Sequence, residues 1–231
     1  MKYKNIIKAK FIDRPNRFIA NVLIDGQKET VHVKNTGRCK EILKPNSTVF
    51  LSAENNINRK TKYDLVSVIK EKDDGNRLLI NIDSQIVNDV AEEWILHGPL
   101  FKSLTKIKRE TTFGDSRFDF YIEHNDEKIF LEVKGVTLEN DYIASFPDAP
   151  TLRGIKHINE LCHCKEMGYR SIILFVIQMK GITKFTPNKE LHKDFANALK
   201  KAQNFGVEIY CIDCVVTEDS ITFDDFVEIE L

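Results

Sequence analysis

Residues 117–135, which read RFDFYIEHNDEKIFLEVKG, constrain the fold of this 231-residue chain more than any other stretch. Two runs in which apolar and polar residues alternate, 118–123 and 128–136, flank His124-Asn125-Asp126-Glu127. This pattern predicts a β-hairpin with a four-residue loop. If the loop is symmetric, Asp119 lies opposite Glu132. Because side chains alternate along a strand, Glu132 and Lys134 then share one face.

Two carboxylates and one ammonium group would therefore converge on one patch of a mostly apolar hairpin. Such groups cost free energy there unless they are paired or hold a cation, so the hairpin predicts a divalent metal site. The spacing Asp-x12-Glu-x-Lys is that of a metal-dependent nuclease. Because 30% of the residues are charged, a Glu-x-Lys triplet also arises by chance. The predicted elements around it, in the order that such a site requires, favour the catalytic interpretation.

A third carboxylate would complete the metal site. Glu110, predicted at the end of the strand before the hairpin, is one candidate. Glu92 and Glu93, on the preceding predicted helix, are the alternatives, and the sequence does not separate the three.

The composition is that of a soluble globular protein, with 42% hydrophobic residues. The first ten residues, MKYKNIIKAK, lack the apolar segment of a signal peptide, and the longest apolar run, 172–177, is too short to span a bilayer. Five cysteines, an odd number, suit free thiols in a reducing compartment better than a disulfide framework. We therefore expect a cytoplasmic protein with no membrane association.

The net charge of -1 hides a strong asymmetry along the chain. Residues 1–80 hold 17 of the 34 Lys and Arg residues but only 9 of the 35 Asp and Glu residues. A basic module joined to a carboxylate-bearing one suggests that the first part holds an anionic polymer and the second processes or senses it. The alternative, that these lysines only solvate a β-domain, stays open.

The first 82 residues predict an OB-like β-barrel, preferred over an SH3-like one. Short strands are expected at 6–11, 18–24, 30–33, 49–52, 63–69 and 78–82, with one short helix at 39–43. The loops between them carry basic and small polar residues that can approach phosphate closely. The candidate DNA-binding residues of this domain are Arg14, Asn16, Arg17, Arg38, Arg59 and Lys60. Phe18 and other strand aromatics could stack on bases, although such residues more often belong to a core.

Residues 83–231 predict a second domain that mixes helices and strands, which makes the fold class α/β (α+β). A helix at 85–97 with Ser84 as its N-cap precedes a strand at 105–109 and the hairpin. A loop then runs through residue 146 to a helix at 152–167 and a strand at 171–177 that is apolar on both faces. The expected order is thus one helix, three strands, one helix and one strand. A helix at 188–204 and strands at 207–212 and 221–229 follow.

The helix at 152–167 carries a polar stripe that includes Arg153, Lys156 and His157. The stripe could face the carboxylate patch and bind phosphate there, or it could be an ordinary solvated face. His157 as a metal ligand is a weaker alternative.

Several blocks of this sequence resemble the sugar fermentation stimulation protein (SfsA) family, and the resemblance covers essentially the whole chain. The blocks are Arg14-Pro15-Asn16-Arg17-Phe18, Asn35-Thr36-Gly37-Arg38, Arg59-Lys60-Thr61, Ser116-Arg117-Phe118-Asp119-Phe120, Glu132-Val133-Lys134-Gly135-Val136-Thr137-Leu138, Phe146-Pro147-Asp148-Ala149-Pro150-Thr151 and Arg153-Gly154-x-Lys156-His157. The resemblance implies an OB-type domain followed by a PD-(D/E)xK nuclease-like αβββαβ domain. It also implies DNA binding and a part in regulating sugar-utilisation genes. Phe118 stands where the superfamily name has proline, a common variation.

The leading hypothesis is a DNA-binding protein that hydrolyses phosphodiesters with Mg²⁺ (or Mn²⁺). The side chains of Asp119, Glu132 and Glu110 and the carbonyl of Val133 would hold the metal, and Lys134 would orient the attacking water. A second hypothesis is a DNA-binding regulator that keeps the nuclease fold without cutting, and a third is RNA binding through the barrel. The oligomeric state stays open, a homodimer included.

Overall fold

A computed structural model describes residues 1–53 and 59–231 of the chain. The strands are β1 Ile6–Asn16, β2 Ile19–Ile24, β3 Gln27–Val33, β4 Thr48–Ala53, β5 Tyr63–Glu71, β6 Arg77–Asn81, β7 Leu104–Phe113, β8 Ser116–His124, β9 Glu127–Val136, β10 Leu138–Asn140, β11 Ile143–Phe146, β12 Arg170–Ile177, β13 Lys184–Pro187, β14 Glu208–Val216, β15 Ile221–Phe226 and β16 Glu228–Ile229. The helices are α1 Ile86–His97, α2 Leu152–Glu166 and α3 Lys193–Phe205.

The first six strands form the predicted OB-like barrel. Their order is β3-β2-β1-β4-β5-β6, and a parallel pairing of β3 with β5 closes five of them into a ring. Alternating residues such as Val31 and Val33 point inward and are fully buried, which is how a small barrel fills its interior. The short helix predicted at 39–43 is instead a turn, closed by the Leu43 N–H donating to the Cys39 carbonyl at 2.8 Å.

The second half of the chain is built on a six-stranded sheet with the order β15-β14-β12-β9-β8-β7. Parallel pairing of β12 with both β9 and β14 places β12 in the middle, and all but the first of its eight residues are buried. This burial on both faces explains its continuous apolar sequence. The apolar face of α1, including Trp94, covers one side of the sheet. Helices α2 and α3 cover the other side. Their buried apolar residues belong to the same continuous cluster as the core of the barrel.

Local chemistry explains where the strands and helices differ from the prediction. The hairpin turn has two residues rather than four, because β8 ends at His124 and β9 begins at Glu127. Asn125 and Asp126 both have positive φ, 48° and 66°, which two-residue hairpin turns favour. The register is unchanged, because both strands extend equally into the predicted loop.

Two further differences lie after the hairpin in the chain. The predicted loop before residue 146 contains β10 and β11, which join β13 and β16 in a separate four-stranded sheet, so the predicted strand at 221–229 is divided between two sheets. Helix α3 begins at Lys193 rather than at 188, because the Asn188 side chain accepts the Leu191 N–H at 3.1 Å and forms a turn there.

The first helix is capped differently from the prediction. Ser84 does not cap α1: its hydroxyl donates to the Lys34 carbonyl. The carboxylate of Asp83 accepts the Gln85 N–H at 2.9 Å, so the preceding residue supplies the stabilising acceptor at the helix start.

A buried ionic joint holds the barrel against the second half of the chain. Lys70 and Lys72 of β5 and its following loop form ion pairs with Glu139 of β10, whose side chain is fully buried. Near it, the Gln178 side chain donates to the Asn81 side chain at 2.9 Å. The first residues also cross over, since Lys2 pairs with Ser220 beside β15. The domain division at residues 82 and 83 stays a prediction.

Within residues 1–53 and 59–231, no helix is both long and apolar enough to cross a membrane. All five cysteines are free thiols, as expected.

Candidate functional site

The hairpin brings Asp119 and Glu132 together as its register predicts. The pairing of Phe120 with Leu131, carried one residue further, sets Asp119 against Glu132. The backbone supports this placement, because the Val133 N–H donates to Asp119 Oδ2 at 2.8 Å. Both carboxylates therefore lie at one end of the β8–β9 pair.

Helix α1 contributes a second contact to Asp119. The Asn88 side-chain amide donates to Asp119 Oδ1 at 3.0 Å. Burial raises the pKa of Asp119, and the negative charge of nearby Glu132 raises it further. The sequence analysis missed Asn88, because its contribution depends on how α1 docks against the sheet.

The two carboxylate oxygens of Glu132 have different surroundings. Both Lys134 Nζ and His157 Nδ1 bond to Oε1. Oε2 is buried and has no hydrogen-bond partner among the described residues. Burial alone would raise the pKa of Glu132, but the hydrogen bonds from His157 and Lys134 and the positive charge of Lys134 outweigh it and lower the pKa. Glu132 is therefore held as a carboxylate with one oxygen left over.

His157 is oriented by its neighbour on α2. Arg153 Nε donates to His157 Nε2 at 3.3 Å. Because a guanidinium has no acceptor, Nε2 must be the accepting nitrogen, which assigns the proton to Nδ1 and the donated hydrogen bond to Glu132. Arg153 and His157 of the polar stripe thus face the carboxylates, one of the two possibilities that the sequence left open, whereas Lys156 donates to the Asp115 carbonyl at 2.9 Å.

The predicted third carboxylate does not join the other two. Glu110 has a left-handed backbone with φ 52°, and its exposed side chain lies 3.5 Å from an Arg117 nitrogen. Glu92 pairs with Arg109, and Glu93 lies 3.7 Å from the N-terminal amine. Over the part of the chain that the structure describes, no three His, Cys, Asp or Glu side chains form a ready metal cluster.

A cavity of about 230 Å³, here called the site cavity, opens beside these groups. Its lining includes Ser84, Val87, Asn88, Glu110, Arg117, Asp119, Glu132, Val133, Lys134, Gly135, Arg153 and His157. Hard divalent cations prefer oxygen ligands. The unpartnered Glu132 Oε2 and the remaining lone pairs of Asp119 supply them, so these two side chains fit such a cation. Val133 borders the same space.

Arg14 of the barrel uses its side-chain hydrogen-bond donors within the protein. Its guanidinium donates to the backbone carbonyls of Gly37, Arg38, Arg17 and Asn35 at 2.5 to 3.0 Å. These bonds use both terminal nitrogens of the guanidinium and leave only the buried Nε without a partner among the described residues. Arg14 thereby positions the loops that carry Arg17 and Arg38, and its expected contact with DNA stays a prediction.

Arg59 is likewise committed to the interior. It makes a forked ion pair with the fully buried Asp64, which Lys34 also contacts at 2.7 Å. Burial would raise the pKa of Asp64, but hydrogen bonds from Arg59 and Lys34 lower it to about 2. Arg59 thus makes a stabilising ion pair inside the barrel, and its expected contact with DNA stays a prediction.

The other predicted DNA-binding residues divide by location. Arg17 and Arg38 are exposed and line a second cavity of about 470 Å³ between the barrel and the second half of the chain, here called the interdomain cleft. Arg153 and His157 line the site cavity. Asn16, Lys60 and Lys156 are exposed but border neither cavity.

Comparison with known proteins bears on both halves. The family described as "Sugar fermentation stimulation protein RE domain" matches residues 85–220, and "SfsA N-terminal OB domain" matches residues 12–81. The chain belongs to the SfsA family. Its SfsA relatives include the sugar fermentation stimulation protein homologs of Clostridium beijerinckii, 56% identical, and Ruminiclostridium cellulolyticum, 52% identical, each over 100% of both chains.

A solved SfsA structure has the same architecture. The structure of Pyrococcus furiosus SfsA in complex with Ca²⁺ aligns with a TM-score of 0.86 and 29% identity, covering 100% of this chain and 98% of that one. The SfsA resemblance and the predicted fold, an OB-like barrel followed by a mixed α/β half, are thereby confirmed.

Proposed function

We propose that this SfsA protein binds DNA and hydrolyses phosphodiester bonds with the help of Mg²⁺ or Mn²⁺. The observation that carries the proposal is the different surroundings of the two Glu132 oxygens: Oε1 bonds to Lys134 and His157, whereas Oε2 is buried and unpartnered, in a residue that lines the site cavity together with Asp119. An ionised carboxylate oxygen buried without a partner is costly. A cation held between Glu132 and Asp119 would remove that cost and explain the arrangement.

The comparison supports the choice of cation. The related Pyrococcus furiosus protein was solved in complex with Ca²⁺, a hard cation that takes the same oxygen ligands as Mg²⁺. A bound Mg²⁺ or Mn²⁺ would supply positive charge to a phosphate oxygen and lower the pKa of an attacking water. Asp119 and Glu132 would hold it, with the Val133 carbonyl as a further oxygen and Glu110 within the same cavity.

The remaining groups act on the substrate or on Glu132. Lys134 uses one of its three protons on Glu132 and keeps donors for a phosphate oxygen, where charge develops during hydrolysis. His157 and Arg153 are positioning residues, because Arg153 fixes the tautomer of His157 and His157 fixes the carboxylate of Glu132. Arg117 and Arg153 border the site cavity and offer cations to the flanking phosphates.

A nuclease assay tests the proposal directly. Purified protein should cleave at least one of single-stranded, duplex or branched DNA in Mg²⁺ or Mn²⁺, and EDTA should stop the cleavage. Glu132→Gln should be inactive with every cation, while Glu123→Gln, a half-buried carboxylate farther along β8 and outside the site cavity, should behave as the wild type. Cleavage that survives Glu132→Gln would point to a contaminating nuclease and reject the proposal.

A non-catalytic DNA-binding regulator is the second candidate. The observation in its favour is that Lys134 and His157 already close on Glu132, while Glu110 turns toward Arg117 instead of joining a three-carboxylate site. Failure of calorimetry to detect Mg²⁺ or Mn²⁺ binding with DNA present would favour it. For either candidate we propose a cytoplasmic location, since the five free thiols suit a reducing compartment.

A further inference from the structure

The interdomain cleft and the site cavity are neighbours. They share the lining residues Ser84, Val87 and Gly135, so a nucleic-acid strand that extends from one cavity can continue into the other. We propose that the interdomain cleft binds the single-stranded segment of DNA that adjoins the phosphate in the site cavity. This inference rests on the proposed function and names its substrate class.

The barrel wall of the cleft offers cations on a fixed support. Arg17 and Arg38 line it, and the guanidinium of Arg14 holds the backbone carbonyls of both residues. Their side chains therefore project from a braced backbone, which lowers the entropy lost when they bind phosphate. Phe18, next to Arg17, is 57% exposed, and such an aromatic ring offers a stacking surface to a base.

The opposite wall suits a base rather than a phosphate. It contains Phe146, Pro147 and Pro150, which are apolar, and the carboxylate of Asp148. A carboxylate repels phosphate but accepts hydrogen bonds from base N–H groups. Gly37 lies so close to Asp148 that any side chain at residue 37 would collide with that carboxylate, so the two walls meet tightly there.

The cleft is concave and held at a fixed width. Glu139 joins the two halves through Lys70 and Lys72, and Gln178, which lines the cleft, bonds to the Asn81 side chain. A paired and stacked base cannot enter such a pocket unless it is extruded, which costs energy. An unpaired strand meets no such cost, so the geometry favours single-stranded DNA or frayed ends.

Fluorescence anisotropy in EDTA tests the cleft without any catalysis. The probes are a labelled 12-nucleotide single strand and its blunt duplex. We expect the wild type to bind the single strand more tightly. The double variant Arg17→Ala/Arg38→Ala should weaken single-strand binding by about tenfold or more. Thr36→Glu, which places a negative charge in the cleft without offering an aromatic ring for stacking, should do the same.

Matched controls separate the cleft from general charge. Lys44→Ala/Arg77→Ala removes two exposed cations of the barrel outside the cleft, and Thr222→Glu adds an exposed carboxylate on β15. Both should bind the single strand within about twofold of the wild type. Circular dichroism verifies that all four variants fold.

The outcomes are decisive and separate from those of the nuclease assay. Loss of single-strand binding in both cleft variants and in neither control supports the inference. Equal losses in cleft and control variants, or tighter duplex binding by the wild type, would overturn it. If the binding pattern holds but no DNA is cleaved with Mg²⁺ or Mn²⁺, the phosphodiesterase proposal fails while the cleft remains a single-strand site.

Discussion

At the scale of single residues, the electrostatic difference between Asp119 and Glu132 is the central feature. Asp119 has a raised pKa and accepts hydrogen bonds from two uncharged donors, the Asn88 side chain and the Val133 N–H. Glu132 has a lowered pKa and bonds to the ammonium group of Lys134 and the imidazole of His157. Asp119 is therefore the carboxylate that takes up a proton first as pH falls. Lys134 already balances the negative charge of Glu132, so a bound cation would balance the remaining negative charge of Asp119.

Asp119→Asn should abolish divalent metal binding in calorimetry, because it removes one of the two ligand charges. The free energy of unfolding should change by only about 1 kcal/mol or less. Relief of repulsion with Glu132 is offset by the loss of an acceptor for one of the two donors. Asp115→Asn, in the exposed turn before β8, is the matched control and should bind metal normally. Normal metal binding by Asp119→Asn would exclude Asp119 as a ligand.

Lys134→Ala should leave metal affinity nearly unchanged and lower the cleavage rate by about 10² to 10³. His157 still holds Glu132 in this variant, so the metal site persists while the donor to the phosphate is lost. Lys108→Ala, an exposed lysine on β7, controls for the loss of charge. The measurement pairs calorimetry with single-turnover cleavage. Loss of metal binding in Lys134→Ala would show that Lys134 positions Glu132 and does not act on the substrate.

Sequence patterns reach some of these residues and miss others for a physical reason. Strand alternation and hairpin register depend on neighbours in sequence, so they were sufficient to place Asp119, Glu132 and Lys134 correctly. Asn88 reaches Asp119 only because of how α1 crosses the sheet, and no local pattern encodes that crossing. The direction of the Glu110 side chain is beyond such patterns for a related reason, since its backbone is left-handed and its carboxylate pairs with Arg117; its part as a metal ligand stays a prediction.

At the scale of strands and loops, the most informative contact is the one that Arg14 makes with the backbone. Lysine at this position keeps the charge but lacks the planar fork that spans several carbonyls. Arg14→Lys should therefore weaken single-strand DNA binding about as much as removal of Arg17 and Arg38. It should also lower the melting temperature. Arg77→Lys, on the exposed end of β6, should change neither quantity.

Anisotropy and thermal unfolding measure both effects of Arg14→Lys. An unchanged affinity would mean that charge alone, rather than loop position, governs binding by the barrel. The sequence pattern marked residues 14–18 and 35–38 as phosphate-binding loops but could not tell a bracing arginine from a contacting one. That distinction depends on which carbonyls fold back toward the guanidinium.

At the scale of the whole molecule, the buried ion pairs of Glu139 join the two halves. Burial alone would raise the pKa of Glu139, but hydrogen bonds from Lys70 and Lys72 lower it. A carboxylate with a lowered folded pKa stabilises the fold at pH values above its unfolded pKa of about 4.3. That contribution is lost as pH falls through the folded pKa.

Glu139→Gln should lower the free energy of unfolding at pH 7 by about 3 kcal/mol, because two largely buried lysines lose their counter-charge. The difference from the wild type should begin to shrink as pH falls below the unfolded pKa of about 4.3, and it should be smallest below the lower folded pKa, where the wild-type carboxylate is neutral as well. Denaturant unfolding across this pH range measures it. Glu71→Gln breaks an exposed ion pair with Arg77 and should cost less than about 1 kcal/mol. A pH-independent difference would mean that packing, not charge, makes the joint.

The barrel and the order of elements in the second half follow from local patterns, whereas the interdomain cleft does not. Its walls come from residues as far apart as Arg17, Gly135 and Gln178, which only the docking of the two halves brings together. Prediction of the cleft would have required recognising Lys70, Lys72 and Glu139 as one buried cluster. Nothing in their spacing distinguishes them from surface charges.

The same joint limits how the protein can be dissected in the laboratory. A fragment without the barrel would carry Glu139 without its lysines, Gln178 without Asn81, and β15 without the strand-like contact of Lys2. Glu139 and Gln178, which are buried in the intact chain, would then be exposed to solvent without their partners. Truncated halves are therefore unsuitable for assigning activities to domains, and point substitutions in the full-length chain are the appropriate tool.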